Sequence, residues 1–167
     1  MKILGGIIII CTCWIIGLDF YKMNLKRLSF TKDLYNGIEC LKSEIVYSCD
    51  FLSKSILKCT EFSGEAALFM QSVGNKLEEK GTSCELAFDK SETLIVNNVS
   101  NETYMLTRDL FMQLGEKDCE NQENLIDGYL HKLSCLIKKQ TEFCCKECVI
   151  FKKTGAIIGI GIAILLI

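Results

Sequence analysis

Residues 3–18 read ILGGIIIICTCWIIGL, sixteen residues without a charge, and residues 154–167 read TGAIIGIGIAILLI, again uncharged. The 19–153 stretch between them mixes charged and apolar residues, and the whole 167-residue chain has no proline. Two apolar ends around a polar middle predict a membrane hairpin: an N-terminal transmembrane helix (1–18), a helical domain on one side of the bilayer (19–153) and a C-terminal transmembrane helix (154–167). Sixteen helical residues cover about 24 Å, against a hydrocarbon core of about 30 Å. Phe20 and Tyr21 extend the first span to the interface, and Val149, Ile150 and Phe151 extend the second if Lys152 and Lys153 snorkel. Gly155 and Gly159, four apart, with Gly161, let two helix backbones approach closely.

Lysine and arginine near a span favour the cytoplasmic side. Lys22, Lys26, Arg27 and Lys32 follow the first run, and Lys138, Lys139, Lys146, Lys152 and Lys153 precede the second; Lys2 stands alone on the other side. The middle domain is therefore expected in the cytoplasm and both termini outside. No small-x-small cleavage site follows the apolar core, because Trp14-Ile15-Ile16-Gly17-Leu18-Asp19 is bulky where a signal peptidase needs small residues, so the first run is expected to be retained.

The middle predicts an all-α fold. Leu34, Ile38, Leu41 and Ile45 form a stripe at helical spacing, reaching back to Leu28. Asp50 is placed to cap a short helix carrying Leu52, Ile56 and Cys59. Ser63-Gly64 opens a third with Ala66, Phe69, Met70, Val73 and Leu77, closed by Gly81. Thr82 and Glu85 have capping-box spacing and start a fourth, with Leu86 and Leu94 inward. After the loop Asn97–Asn101 comes a fifth helix bearing Tyr104, Leu106, Leu110, Phe111 and Leu114, with Gly115 as its left-handed cap. Asp118 then starts a long sixth helix, with the seam Ile126, Leu130, Leu133, Ile137, Cys144, Phe151, feeding straight into the second apolar run. The expected layout is two long antiparallel helices with four shorter ones between.

Chemistry is sparse. A net charge of −2 without a basic cluster speaks against nucleic acid, whose binding depends on neutralising phosphates. One histidine, no glycine-rich phosphate loop and no Ser-His or Cys-His spacing give no support to catalysis, and no cofactor is expected. Eleven cysteines, an odd number irregularly spaced in a reducing compartment, read mainly as small buried hydrophobes. Cys144, Cys145 and Cys148, with His131 and Cys135 upstream, are the one candidate thiol or metal cluster; a single Cys-x-x-Cys is a weak zinc signal, and packing without metal is the preferred reading. Glu44 stands beside an apolar stripe with no basic residue three or four positions away, and reads as a charge paired across the fold.

Several motifs resemble one family. Met1-Lys2-Ile3-Leu4-Gly5 with Trp14 and Gly17, then Leu41-x-x-Glu44-Ile45-x-Tyr47, then Leu114-Gly115-x-x-Asp118-x-x-x-Gln122, and finally Lys152-Lys153-Thr154-Gly155 before aliphatics are similar to stage III sporulation protein AB. Phe51-Leu52 departs from that family's usual proline and leucine, and Leu110-Phe111 from its Phe-Gly. The resemblance implies a non-enzymatic protein of the mother-cell membrane in endospore formers, with a six-helix cytoplasmic domain like the inner-membrane platform of type II secretion and type IV pilus systems. It implies as partners a hexameric cytosolic secretion-type ATPase, whose movements the platform transmits, and other membrane components of a channel between mother cell and forespore. Glu44, Tyr47, Gly115, Asp118 and Gln122 are the candidate partner-binding residues. The alternative is a membrane-tethered thiol or metal-binding protein using Cys144, Cys145 and Cys148.

Overall fold

In the computed structural model of the chain the described residues are 2–48, 51–79, 81–114 and 119–148, with side chains described from Cys11 onward except at 13, 119, 120, 147 and 148. They are all helix and short connections, with no strand among the described residues. The α-helices are α1 (Lys2–Ser48), α2 (Leu52–Lys58), α3 (Ala67–Leu77), α4 (Cys84–Asp89), α5 (Thr93–Val96), α6 (Asn101–Gln113) and α7 (Cys119–Phe143). Two 3-10 turns, Cys59–Phe62 and Gly64–Ala66, join α2 to α3, and α7 widens into a π turn over Cys144–Cys148.

The chain divides into two compact units: residues 1–26 with 138–167, and residues 27–137. The second holds the hydrophobic core. From α1 come Leu34, Ile38, Leu41 and Ile45, as the stripe requires, and Phe30, which the stripe did not include. Phe69, Phe88 and Phe111, from α3, α4 and α6, meet at its centre: Phe69 stands edge-on to the other two rings, at 5.7 and 5.8 Å between centroids. Such T-shaped pairs put a positive ring edge against a negative ring face. From α7 come Ile126, Tyr129, Leu130 and Leu133; Tyr129 is an addition to the expected seam.

The fourth expected helix is two helices, α4 and α5. In a continuous helix the Lys90 carbonyl would accept the Leu94 N–H. Instead it accepts the Lys76 ammonium from α3, and the Leu94 N–H turns to the Ser91 carbonyl at 3.0 Å. The buried Ser91 hydroxyl gives its proton to the Ala87 carbonyl at 2.9 Å, which leaves it to accept from Ser72 and from Lys76. The start of α4 also shifts by one residue. Ser83, not Thr82, is the N-cap, accepting the Leu86 N–H at 3.3 Å. One residue is about 100° of helix rotation, so Cys84, Ala87 and Phe88 turn inward and Leu86 faces solvent. Leu94 is likewise outward, with Ile95 buried in its place.

The third expected helix, read as opening at Ser63-Gly64, has Gly64–Ala66 as a 3-10 turn, and α3 itself begins at Ala67. Ser100 caps α6 by accepting the Thr103 N–H, and Gly64 has φ +47°, with the following Glu65 N–H donating to Asp33 Oδ2 at 2.9 Å. Gly81 also has positive φ, +83°, beyond the end of α3 at Leu77. Asp50 lies outside the described residues; α2 begins after Phe51, which makes no side-chain cap.

Among the described residues no helix is long and apolar enough to cross a membrane. The expected second span, 154–167, lies outside the described residues, as do the side chains of the first run up to Ile10. Of the first unit's described side chains, Trp14, Ile15 and Ile16 are exposed apolar residues.

Candidate partner-binding end

The last turns of α1 and the first turns of α7 are joined by charge. Lys42 reaches Asp127 Oδ2 at 2.7 Å and Glu123 Oε1 at 3.3 Å. The hydrogen bond to Asp127 is the main cause that raises the lysine above its ordinary range; burial opposes it, and the bond to Glu123 adds to it. Gln122 is adjacent to Glu123 at the start of α7, so Gln122 and the Glu44–Tyr47 segment come to the same end of the helical domain. Glu44 and Gln122 are half-buried and Tyr47 is 85 % exposed. Gly115 and Asp118, the other two expected site residues, lie outside the described residues.

Glu44 is paired across the fold. Its Oε2 accepts from Lys58 Nζ of α2 at 3.0 Å and from the Ser48 hydroxyl at 2.8 Å. Lys42 and Glu44 are thus both engaged in tying α1 to its neighbours. Alongside exposed polar residues, this end leaves three large aromatic or apolar ones uncovered: Tyr47, Phe51 and, in part, Val46.

A cleft of about 330 Å³ opens at the same end, where the starts of α2 and α4 meet the ends of α3 and α6. Leu52, Leu77 and Leu114 give it an apolar wall, Ser53 and Glu85 add polar groups, and Phe51 and Met112 are its exposed apolar members. A cleft of this make-up accepts an apolar side chain with a donor beside it. Sequence reasoning missed it, because its walls come from four segments that share no motif. The one available signal was Phe51, a large aromatic in a turn that no helical stripe required.

The cysteine cluster does not assemble a site in the described residues. Cys144 is buried and Cys145 exposed, so the helix sends the two in different directions, and Cys135 is exposed too. The Cys148 side chain lies outside those described. Among the described residues no three His, Cys, Asp or Glu side chains gather as a metal would require.

A family model described as Stage III sporulation protein AB matches residues 2–167. No curated protein and no solved structure matches the chain.

Proposed function

The chain belongs to the stage III sporulation protein AB family, and from that premise we propose that it is a non-enzymatic membrane platform in a secretion-like channel complex. Membership ties the chain to sporulation. On the proposed reading residues 1–18 and 154–167 lie in the mother-cell membrane, and the helical domain between them faces the cytoplasm. There it docks a hexameric secretion-type ATPase and transmits its movements. The exposed apolar side chains Trp14, Ile15 and Ile16 support the membrane part, since large apolar groups left uncovered mark contact with lipid or protein.

The observation that carries the docking reading is Tyr47, whose ring is almost wholly exposed beside the Lys42–Asp127 and Glu44–Lys58 pairs. Aromatic residues dominate interface energetics because they bury a large area with few rotatable bonds. The anchors of the docking surface are then Tyr47 and Phe51, with the Glu44–Lys58 pair holding the end of α1 in place. Gln122 contributes a hydrogen bond at the margin.

The test is retention of the secretion-type ATPase on the immobilised full-length chain in detergent. Tyr47→Ala and Phe51→Ala should each weaken binding about tenfold or more, and Gln122→Ala less. Their melting temperatures should stay close to that of the parent, because exposed side chains contribute little to stability. Unchanged retention in the Tyr47→Ala/Phe51→Ala double variant would refute docking at this end.

A further inference from the structure

One face of α1 lies in register against the stretch from the end of α2 to the start of α3. Asp33, Gly37, Cys40 and Glu44 are spaced four, three and four apart, which puts them in a line on a helix. Asp33 accepts the Glu65 N–H at 2.9 Å. Gly37 lies against Ser63, close enough that a Cβ there would strike the serine hydroxyl. Glu44 pairs with Lys58 at 3.0 Å. Between these fixed points the register sets Cys40 opposite Cys59, with Cys40 packed against the core to which Cys59 belongs. The turn carrying Cys59 is itself held, since the buried Ser63 hydroxyl donates to the Cys59 carbonyl at 2.8 Å.

We propose that Cys40 and Cys59 form a redox-sensitive dithiol that a low-molecular-weight disulfide converts into an intramolecular cystine, locking α1 to the end of α2. The two cysteines differ in access, and that sets the order of steps. Cys40 is partly exposed and Cys59 is buried. Cys40, as thiolate, attacks one sulfur of the reagent disulfide, forms a mixed disulfide and releases one small thiolate. Cys59 then loses its proton and attacks Cys40 Sγ, and the second small thiol departs carrying that proton. Two protein thiols are oxidised and one small disulfide is reduced to two thiols.

Burial first, and then the neighbouring Cys40 thiol, hold the Cys59 thiol well above its ordinary range. In a reducing compartment the pair rests as two packed thiols and closes only under oxidative load. The contacts on either side of Cys40, Gly37 against Ser63 and Glu44 with Lys58, favour closure because they hold the two segments in register.

The experiment treats the full-length reduced chain in detergent with oxidised glutathione, blocks remaining thiols with N-ethylmaleimide, and maps peptides without reduction. A Cys40–Cys59 cross-linked peptide is expected ahead of any other pair. The exposed Cys135 reports, through its glutathione adduct, that the reagent is active. Cys40 and Cys59 both remaining free while Cys135 is modified would overturn the proposal, as would Cys40 stopping at its glutathione adduct. In denaturant the preference for this pair should vanish; an equal yield there would show that the fold does not create it. The oxidised protein should melt higher by on the order of 10 °C, and a lower melting temperature would show that the bond distorts the native register.

Discussion

A methyl group added at Gly37 and one added at Gly128 have opposite consequences, although both glycines lie inside helices. At Gly37 it meets the hydroxyl of Ser63, a side chain that is fully buried and bonded to the Cys59 carbonyl, so it has no room to move. At Gly128 there is nothing within 4 Å, and the change only removes glycine's entropic penalty in a helix. Urea denaturation should therefore show Gly37→Ala destabilised by about 1–3 kcal/mol and Gly128→Ala stabilised by about 0.5–1 kcal/mol. Equal effects would mean that the α1 register against Ser63 is wrong. Tyr129 is a second residue whose environment decides its chemistry. The Thr107 hydroxyl gives its proton to the Thr103 carbonyl at 2.7 Å, so in the 3.1 Å contact between them Tyr129 is the donor. Burial holds the phenol above its ordinary range. A raised phenol binds its proton more tightly in the folded state, so its contribution is intact below the unfolded value, about pH 10, and is lost as pH rises toward the folded one. Tyr129→Phe should cost about 1 kcal/mol at neutral pH, and it should make the alkaline loss of stability above about pH 10 shallower by up to ~1.4 kcal/mol per pH unit. Cys59, Tyr104 and Lys42, also raised, contribute to that loss in both proteins, so the difference between the two curves isolates Tyr129. That Glu44 is paired across the fold was legible, but the partners were not: Lys58 is 14 residues from Glu44, and Asp127 is 85 from Lys42, beyond the reach of any local pattern.

Among the elements, long stripes were legible and short helices were not. Leu34, Ile38, Leu41 and Ile45 repeat over three turns, so an error of one residue in the helix start cannot change which face is apolar. α4 has six residues and only one full turn of repeat. There the reading rested on Thr82 as the cap, whereas the adjacent Ser83 is the residue used, and that offset of one residue put Leu86 inward. The break between α4 and α5 was hidden for a different reason: it is made by Lys76, a residue of another helix. These assignments have a direct energetic test. Phe88→Ala removes a ring that packs on Phe69 and Phe111 and should cost about 3–5 kcal/mol. Leu86→Ala, on the outer face, should stay within about 0.5 kcal/mol of the parent. Chemical denaturation of the two variants gives the answer, and a larger loss at Leu86 than at Phe88 would restore the capping-box phase. The candidate site followed the same rule. Glu44, Tyr47 and Gln122 were singled out by motif and do come to one end, whereas the cleft beside Phe51 exists only once four separate segments have packed.

For the whole molecule, the proposed hairpin makes one demand that the native chain can answer without engineering. Nine basic residues flank the apolar runs on their inner sides, and only Lys2 lies on the outer side of either. Such a bias sets orientation because moving several cations across the bilayer against the membrane potential is unfavourable, whereas nearby acids count for little. Residues 19–153 should then share one compartment, the cytoplasm. Cys135 and Cys145 both belong to that stretch and both are exposed, so each is a ready reporter of the side it occupies. A membrane-impermeant maleimide applied to intact sporulating cells should leave both unmodified, and the same reagent after lysis should label both; peptide mapping distinguishes them from the other cysteines. Modification of both in intact cells would invert the hairpin and put the helical domain out of reach of a cytosolic ATPase. Modification of Cys145 alone would mean that the chain crosses the bilayer between 135 and 145, before its second apolar run. That crossing would carry Lys138 and Lys139 into the hydrocarbon, at roughly 2.5–3.5 kcal/mol for each at the centre of a span, which is why the two cysteines are expected to behave alike.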